Sequence, residues 1–397
     1  MIRRSFFLAC ALLALPCAGA ADVLTGIDVL ARDGFESLAG QRVGLITNHT
    51  GLARDGRSTA SHLHAASNVE LVRLFSPEHG PRGELDAAVV DDSLDAKTGI
   101  PVVSLYGEHR RPTAAMLEGL DTLVFDIQDI GTRFYTYIST MGNAMLAAAE
   151  HGKRFVVLDR PNPINGVTVA GPVLDDGRQS FVGFHTLPIR HGMTVGELAL
   201  MFRDELDLEL DLDIVRLEGW TRDTWFDATG LAWVNPSPNM RSLTEAILYP
   251  GIGLLETTNL SVGRGTATPF ELIGAPWLDA EALAATLDRM GLPGIDFAPV
   301  HFTPDASTFA GELCHGVRFT LTDRARFASV AAGLTIATVL LRDFGEHWQT
   351  ERYVRLLGNG AALEALLAGG DVADIEASYA DGLAAFVQRR AKYLLYD

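Results

Sequence analysis

Glu78 stands between Pro77 and His79 in the run Phe75-Ser-Pro-Glu-His-Gly80. It directly follows a buried-strand pattern, and a carboxyl group in that place is set for general acid or base work. The competing reading is structural, with Glu78 capping a neighbouring helix or pairing with Arg82. Cleaving a glycosidic bond generally takes two carboxyl groups flanking the scissile bond. Asp126 and Asp129, in Asp126-Ile-Gln-Asp-Ile-Gly-Thr-Arg133, could supply the second. Alternatively Asp126 ends its strand by accepting backbone N–H groups and Asp129 pairs with Arg133. His49 and His79 could orient a substrate or a carboxylate, and for either alone a structural hydrogen bond is the simpler reading. Arg110, Arg111, Arg133, Arg190 and Arg264 are candidates for an anionic substrate group, because guanidinium binds carboxylate bidentately; ordinary ion pairs account for at least half of such arginines. Tyr106, Tyr135 and Tyr137 could stack on sugar faces, and Tyr137 also fits a core position.

Other chemistries lose ground through their missing motifs. Gly251-Ile-Gly-Leu-Leu-Glu256 lacks the last glycine of the dinucleotide fingerprint and does not lie in the first βα unit. There is no Walker loop, His-Glu-x-x-His, Cys-x-x-Cys or Gly-x-Ser-x-Gly nucleophile elbow. No cofactor and no metal are expected.

The elements that must position these residues alternate along the first half. Strands are expected at 43–47, 69–75, 101–105, 122–127 and 155–159. The clearest helix follows Gly131, where Phe134, Ile138, Met141, Met145 and Ala148 recur at helical spacing. This rhythm predicts an α/β fold with a parallel sheet covered on both faces. Each strand runs into polar residues, and ligands bind outside the carboxyl ends of strands in open α/β sheets, so one rim gathers the candidates. Thr194-x-x-Glu197 predicts a capping box and a helix to about 206, and a strand is expected at 213–217. Asn235-Pro-Ser-Pro-Asn239 reads as a stiff linker. Past it come a Gly-rich stretch at 249–268, a helix near 280–290, strands near 296–302 and 316–321, then helices. These predict a main domain over 21–239 and a smaller α+β domain over 240–397.

The chain has 397 residues, 48% hydrophobic and 21% charged, with 50 acidic against 32 basic side chains and a net charge of −18. A sizeable core is assured, and no broad basic face is available for nucleic acid. Arg3 and Arg4, an apolar run at 6–16 and Ala18-Gly19-Ala20 predict a signal peptide over 1–20. Export to the periplasm or medium is expected, with cleavage near Ala20. Cleavage there would leave Cys314 as the one cysteine and no intramolecular disulfide. The longest later apolar run, 331–341, is too short to span a bilayer, so no stable membrane insertion is expected.

At these same residues the chain resembles the NamZ-type exo-β-N-acetylmuramidases. The matching segments are Gly44-Leu-Ile-Thr-Asn-His-Thr-Gly51, Phe75-Ser-Pro-Glu-His-Gly-Pro-Arg-Gly83, Ser104-Leu-Tyr-Gly107 and Val124-Phe-Asp-Ile-Gln-Asp-Ile-Gly-Thr-Arg-Phe-Tyr-Thr-Tyr137. They continue through Leu158-Asp-Arg-Pro-Asn-Pro-Ile164, Pro188-Ile-Arg-His-Gly-Met193, Pro236-Ser-Pro-Asn239 and Glu256-Thr-Thr-Asn-Leu-Ser-Val-Gly-Arg-Gly-Thr266. The resemblance covers nearly all of the chain after residue 20, in order.

The resemblance implies a Rossmann-like domain followed by a smaller domain, with the site between them. It implies release of terminal β-1,4-linked N-acetylmuramic acid from the non-reducing ends of peptidoglycan fragments, without a nucleotide cofactor. Glu78 becomes the leading catalytic carboxyl, with Asp126, Asp129 or Glu256 assisting. The lactyl carboxylate of muramic acid calls for a buried cation, Arg133 or Arg264, and Asn239, Glu256 and Asn259 could close the pocket. Asn48, His49, His79, Arg82, Tyr106, Tyr135 and His191 complete the expected substrate contacts. Inversion, retention and assistance by the substrate's acetamido group all stay open. The alternative is a non-catalytic muropeptide-binding protein of the cell envelope, which would bind without turnover.

Overall fold

The computed structural model describes residues 22–83 and 92–397. The expected signal peptide lies outside the described residues. Among the described residues nine strands occupy the first part of the chain: β1 (Arg42–Thr47), β2 (Glu70–Ser76), β3 (Ser93–Leu94), β4 (Pro101–Ser104), β5 (Thr122–Asp126), β6 (Arg154–Leu158), β7 (Ala170–Val173), β8 (Pro188–Arg190) and β9 (Leu212–Val215). Seven form one sheet in the order β3-β4-β2-β1-β5-β6-β9, and β7 pairs with β8. All pairs in the large sheet are parallel except β3 with β4.

Alternation along the central strands explains why both faces are covered. Val43 and Leu45 of β1, Val124 of β5, and Val156 and Leu158 of β6 pack on one side with Ile27 and Leu30 of the helix Gly26–Arg32 and Leu63 of the helix Thr59–Ala65. Ile46, Leu123, Phe125, Phe155 and Val157 point the other way, onto the helices Tyr137–Glu150 and Val195–Glu205. The helix Tyr137–Glu150 is buried nearly all round, since the helix Val195–Glu205 lies beside it, β6 beneath it and the Phe184 ring against its Gly142. The Thr194 capping box is present, with its hydroxyl accepting from the Glu197 N–H and the Glu197 carboxylate accepting from the Thr194 N–H.

The rest carries an antiparallel sheet of β10 (Leu272–Ala275), β11 (Ile295–Phe302) and β12 (Cys314–Leu321), with β12 central. The helix Leu243–Ile252 runs into the stretch at 249–268 that reads as Gly-rich in the sequence, with no helix expected there. Pro250 falls in its last turn, where it forfeits one backbone bond, and the chain goes straight on as a tighter turn over Gly253–Thr257. The helix Leu243–Ile252 crosses the helix Ser329–Phe344 at two glycines so closely that a Cβ on Gly251 would stand 1.9 Å from the Ser329 carbonyl oxygen. One core cluster runs from Ile46 of the large sheet to Tyr393. No helix among the described residues is long and apolar enough to cross a membrane.

Candidate active site

Strands added after β1 go outward on one side as β2 and β4 and on the other as β5, β6 and β9. The chain therefore switches direction between β1 and β5, whose ends lie side by side with Thr47 opposite Asp126. Crevices at such switch points are where open α/β sheets bind ligands. A cavity of about 320 Å³ lies at this rim, lined by the turn after β2, residues 134–137 after β5, the 237–240 segment and residues of the C-terminal part.

Glu78 and His79 enter this cavity from the turn that ends β2. The turn is sharp because His79 (φ 70°) and Gly80 (φ 73°) both adopt the left-handed conformation. The half-buried Glu78 carboxylate accepts a hydrogen bond from the Thr136 hydroxyl. Tyr135, Tyr137 and Tyr249 form the floor, edge to face: Tyr135 lies 5.1 Å from Tyr137 and 6.0 Å from Tyr249, centre to centre. Burial pushes all three hydroxyls well up from the usual phenol range, helped by the Glu78 charge at Tyr137 and the Glu256 charge at Tyr249. All three therefore stay neutral at physiological pH and can donate hydrogen bonds. The Tyr137 hydroxyl donates to the Pro236 carbonyl, which pins the 235–239 segment against the cavity. On the opposite wall Glu256 and Arg264 form an ion pair, and Asn239 lines the same cavity.

Asp129 and His191 lie outside this lining, both buried. One Asp129 oxygen accepts the Gly131 N–H at 2.7 Å and stands 3.6 Å from His191 Nε2. The Met193 N–H points at His191 Nδ1 (3.2 Å), which assigns the ring proton to Nε2, facing Asp129. Asp129 is felt at Tyr135, Tyr137 and Tyr249, whose hydroxyls its charge also raises.

Several expected site residues stand elsewhere. Asp126 is fully buried, held by both guanidinium arms of Arg160, one at 2.9 Å, and by the Thr59 hydroxyl. Its lone pairs are committed on the side of the helix Thr59–Ala65. Arg133 pairs with no carboxylate among the described residues: wholly buried, it donates to the carbonyls of Pro172, Leu187, Leu356 and Leu357 at 2.6–2.9 Å. Loss of solvent pulls its guanidinium down to about 9. It cannot reach a ligand. The Asn259 amide is spent at both ends on backbone, donating to the His347 carbonyl and accepting from the Gln349 N–H. Asn48 braces its own loop by accepting from the Thr50 N–H and hydroxyl, and His49 Nε2 meets the Asn235 carbonyl at 2.6 Å. Arg82 is exposed outside the lining, and Tyr106 stacks near Phe181 under the Arg110 guanidinium. Arg111 pairs with Glu150, and Arg190 is buried on the Ile164 carbonyl.

Sequence reasoning missed Thr136, Ser237, Tyr249 and Arg355, all of which line the cavity. Thr136 and Ser237 lie inside the quoted segments and were within reach. Tyr249 and Arg355 carry no motif of their own. Among the described residues no group of three or more histidine, cysteine or acidic side chains is arranged to hold a metal ion.

Known proteins match most of the chain. The family model described as exo-beta-N-acetylmuramidase NamZ, N-terminal, matches residues 43–244, and its C-terminal counterpart matches 247–396. The peptidoglycan beta-N-acetylmuramidase NamZ of Bacillus subtilis (strain 168) is 46% identical over 379 residues, 94% of this chain and 91% of that protein. Two DUF1343 family crystal structures from Bacteroides fragilis NCTC 9343 superpose with TM-scores of 0.88 and 0.77. Their identities are 39% and 31%; each covers 95% of this chain, with 100% and 99% of theirs matched. With both halves of the family model matched in order and a relative at this identity across nearly the full chain, the protein belongs to the NamZ exo-β-N-acetylmuramidase family.

Proposed function

We propose that this protein is an exo-acting glycoside hydrolase that removes terminal β-1,4-linked N-acetylmuramic acid from the non-reducing ends of peptidoglycan fragments. The observation that carries the reading is Glu78, a carboxyl group oriented by Thr136 at a cavity on the carboxyl-end rim of the sheet in a NamZ-family fold. The cavity, about 320 Å³, is near the small end of the roughly 300–1,000 Å³ usual for ligand pockets. That size suits one terminal sugar better than a stretch of polymer. The neutral tyrosines offer an apolar floor, with Tyr135 and Tyr249 as donors for sugar hydroxyls, the Tyr137 donor being held by the Pro236 carbonyl.

In this reading Glu78 gives its proton to the glycosidic oxygen, the bond from that oxygen to the anomeric carbon breaks, and water adds at the anomeric carbon, giving up a proton that restores the Glu78 carboxyl. Glu256, on the opposite wall and ion-paired with Arg264, is the second carboxylate within the cavity and stabilises the positive charge that develops. Asp129 and His191 act as positioning residues beneath the tyrosines. The pattern in residues 1–20 supports export, which would bring the enzyme to its polymer.

The test is incubation with N-acetylmuramic acid β-1,4-linked to N-acetylglucosamine beside the isomer of reverse order. Muramic acid should be released from the first alone, and NMR of the first-formed anomer reads inversion or retention. Replacing Glu78 by Gln should cut turnover by about 10²–10⁴-fold, the range for general acid catalysis, while melting and sugar binding hold. Binding without release by the wild type would instead make it a muropeptide-binding protein.

A further inference from the structure

Two arginines line the cavity, and they differ in one respect. Arg264 already faces a carboxylate, Glu256. Arg355 is exposed into the cavity from the short helix Val354–Leu357 and makes no side-chain hydrogen bond or ion pair among the described residues. In a chain with a net charge of −18, a guanidinium without a carboxylate partner beside a ligand cavity stands out.

The backbone under Arg355 is fixed with unusual care. The next two carbonyls, Leu356 and Leu357, accept from Arg133 Nη2 at 2.6 and 2.8 Å. The helix then ends on Gly358 (φ 70°), where a Cβ would come within 2.7 Å of the same nitrogen. The Gly358 N–H closes the turn on the Val354 carbonyl, and its own carbonyl takes the Asp175 N–H, both at 2.8 Å. A buried cation thus spends one arm of its guanidinium holding the turn that presents an exposed one. Holding the backbone while leaving the guanidinium open lowers the ordering cost of meeting an anion.

We infer that Arg355 reads the carboxylate of the substrate, the lactyl group that separates muramic acid from glucosamine, and that Arg133 is its positioning residue. The inference rests on the proposed glycosidase reading for its ligand. It replaces the expectation that Arg133 or Arg264 makes this contact: Arg133 is out of reach and Arg264 is already matched in charge.

The experiment compares two disaccharides, N-acetylmuramic acid β-1,4-linked to N-acetylglucosamine and the same compound with its lactyl carboxylate converted to a carboxamide. Both are given to the full-length wild type, Arg355→Gln and Arg355→Lys. Losing one charge-assisted contact should raise KM for the acid by roughly 10–100-fold, leave kcat nearly unchanged and barely affect the amide. The wild-type preference for acid over amide should collapse in Arg355→Gln and partly recover in Arg355→Lys. Calorimetric binding of free N-acetylmuramic acid and of N-acetylglucosamine runs beside the kinetics. Equal effects on acid and amide, or none, with turnover intact would overturn the inference and spare the hydrolase. No release by the wild type, with muramic acid binding that depends on Arg355, would do the reverse. Neither release nor muramic acid binding by the wild type would overturn both.

Discussion

Asp126 and Glu78 both lie at the carboxyl ends of buried strands, yet their surroundings assign them opposite work. Asp126 has no solvent contact and is matched to Arg160 on two arms, while Glu78 is half open to a cavity and oriented by one hydroxyl. Replacing Asp126 by Ala strands a buried guanidinium and should cost about 3–5 kcal/mol in urea unfolding. The fraction that stays folded should keep near-normal turnover, and a large rate loss without a stability loss would return Asp126 to the chemistry. Thr136→Val should show the converse, a kcat drop on the order of 10-fold at unchanged stability, since it removes the group that aims Glu78. Glu78, Tyr135, Glu256, Asn239 and Arg264 were legible in the sequence and do share one cavity. Asp126, Arg133 and Asn259 were equally conspicuous, because a buried polar residue bonded to backbone or to one ion leaves the same trace in a chain as a ligand contact. What separates the two classes is the partner, and the partners of Arg133 lie up to 224 positions away.

Among elements, eight of the twelve described strands and the Thr194 cap were readable within a residue or two because both signals are local: β-branched runs bounded by turn residues, and a reciprocal side-chain-to-backbone pair. The strands β3, β7, β8 and β10, two to four residues each, carry no such run and were not. The helix Leu243–Ile252 was not, since its last turn falls in the stretch from Tyr249 that reads as Gly-rich. That helix carries Tyr249 into the cavity floor, and its close crossing at Gly251 and Gly333 sets its height. Gly333→Ala would push its new Cβ within 2.4 Å of the Gly251 carbonyl oxygen. Overpacking of this kind should lower stability by roughly 1–3 kcal/mol, read by urea unfolding, and should also raise KM as Tyr249 shifts.

Over the whole molecule, the end of the chain returns to the first sheet. The Tyr396 hydroxyl donates to Asp159 at 2.5 Å and the Leu395 N–H to Glu197, which in turn pairs with Arg222. Asp159 is fully buried, and burial lifts its carboxyl from 3.8 to about 6 against four hydrogen bonds to it. The folded state therefore binds a proton that the unfolded chain releases between about pH 4 and 6. Its contribution to stability is fully present below that window and is lost as pH rises through it. Wild type should lose up to about 3 kcal/mol relative to Asp159→Asn between pH 4 and 6.5, measured as the difference between their urea midpoints. Equal slopes for the two proteins would refute the shift. The Arg133 clamp has a consequence in time as well as in space. It joins residues 223 positions apart, and contacts of such sequence separation form late, after local helices and hairpins. On refolding from urea, helical circular dichroism should recover first, and selectivity for a carboxylate-bearing sugar should return only when the two distant stretches of chain have met.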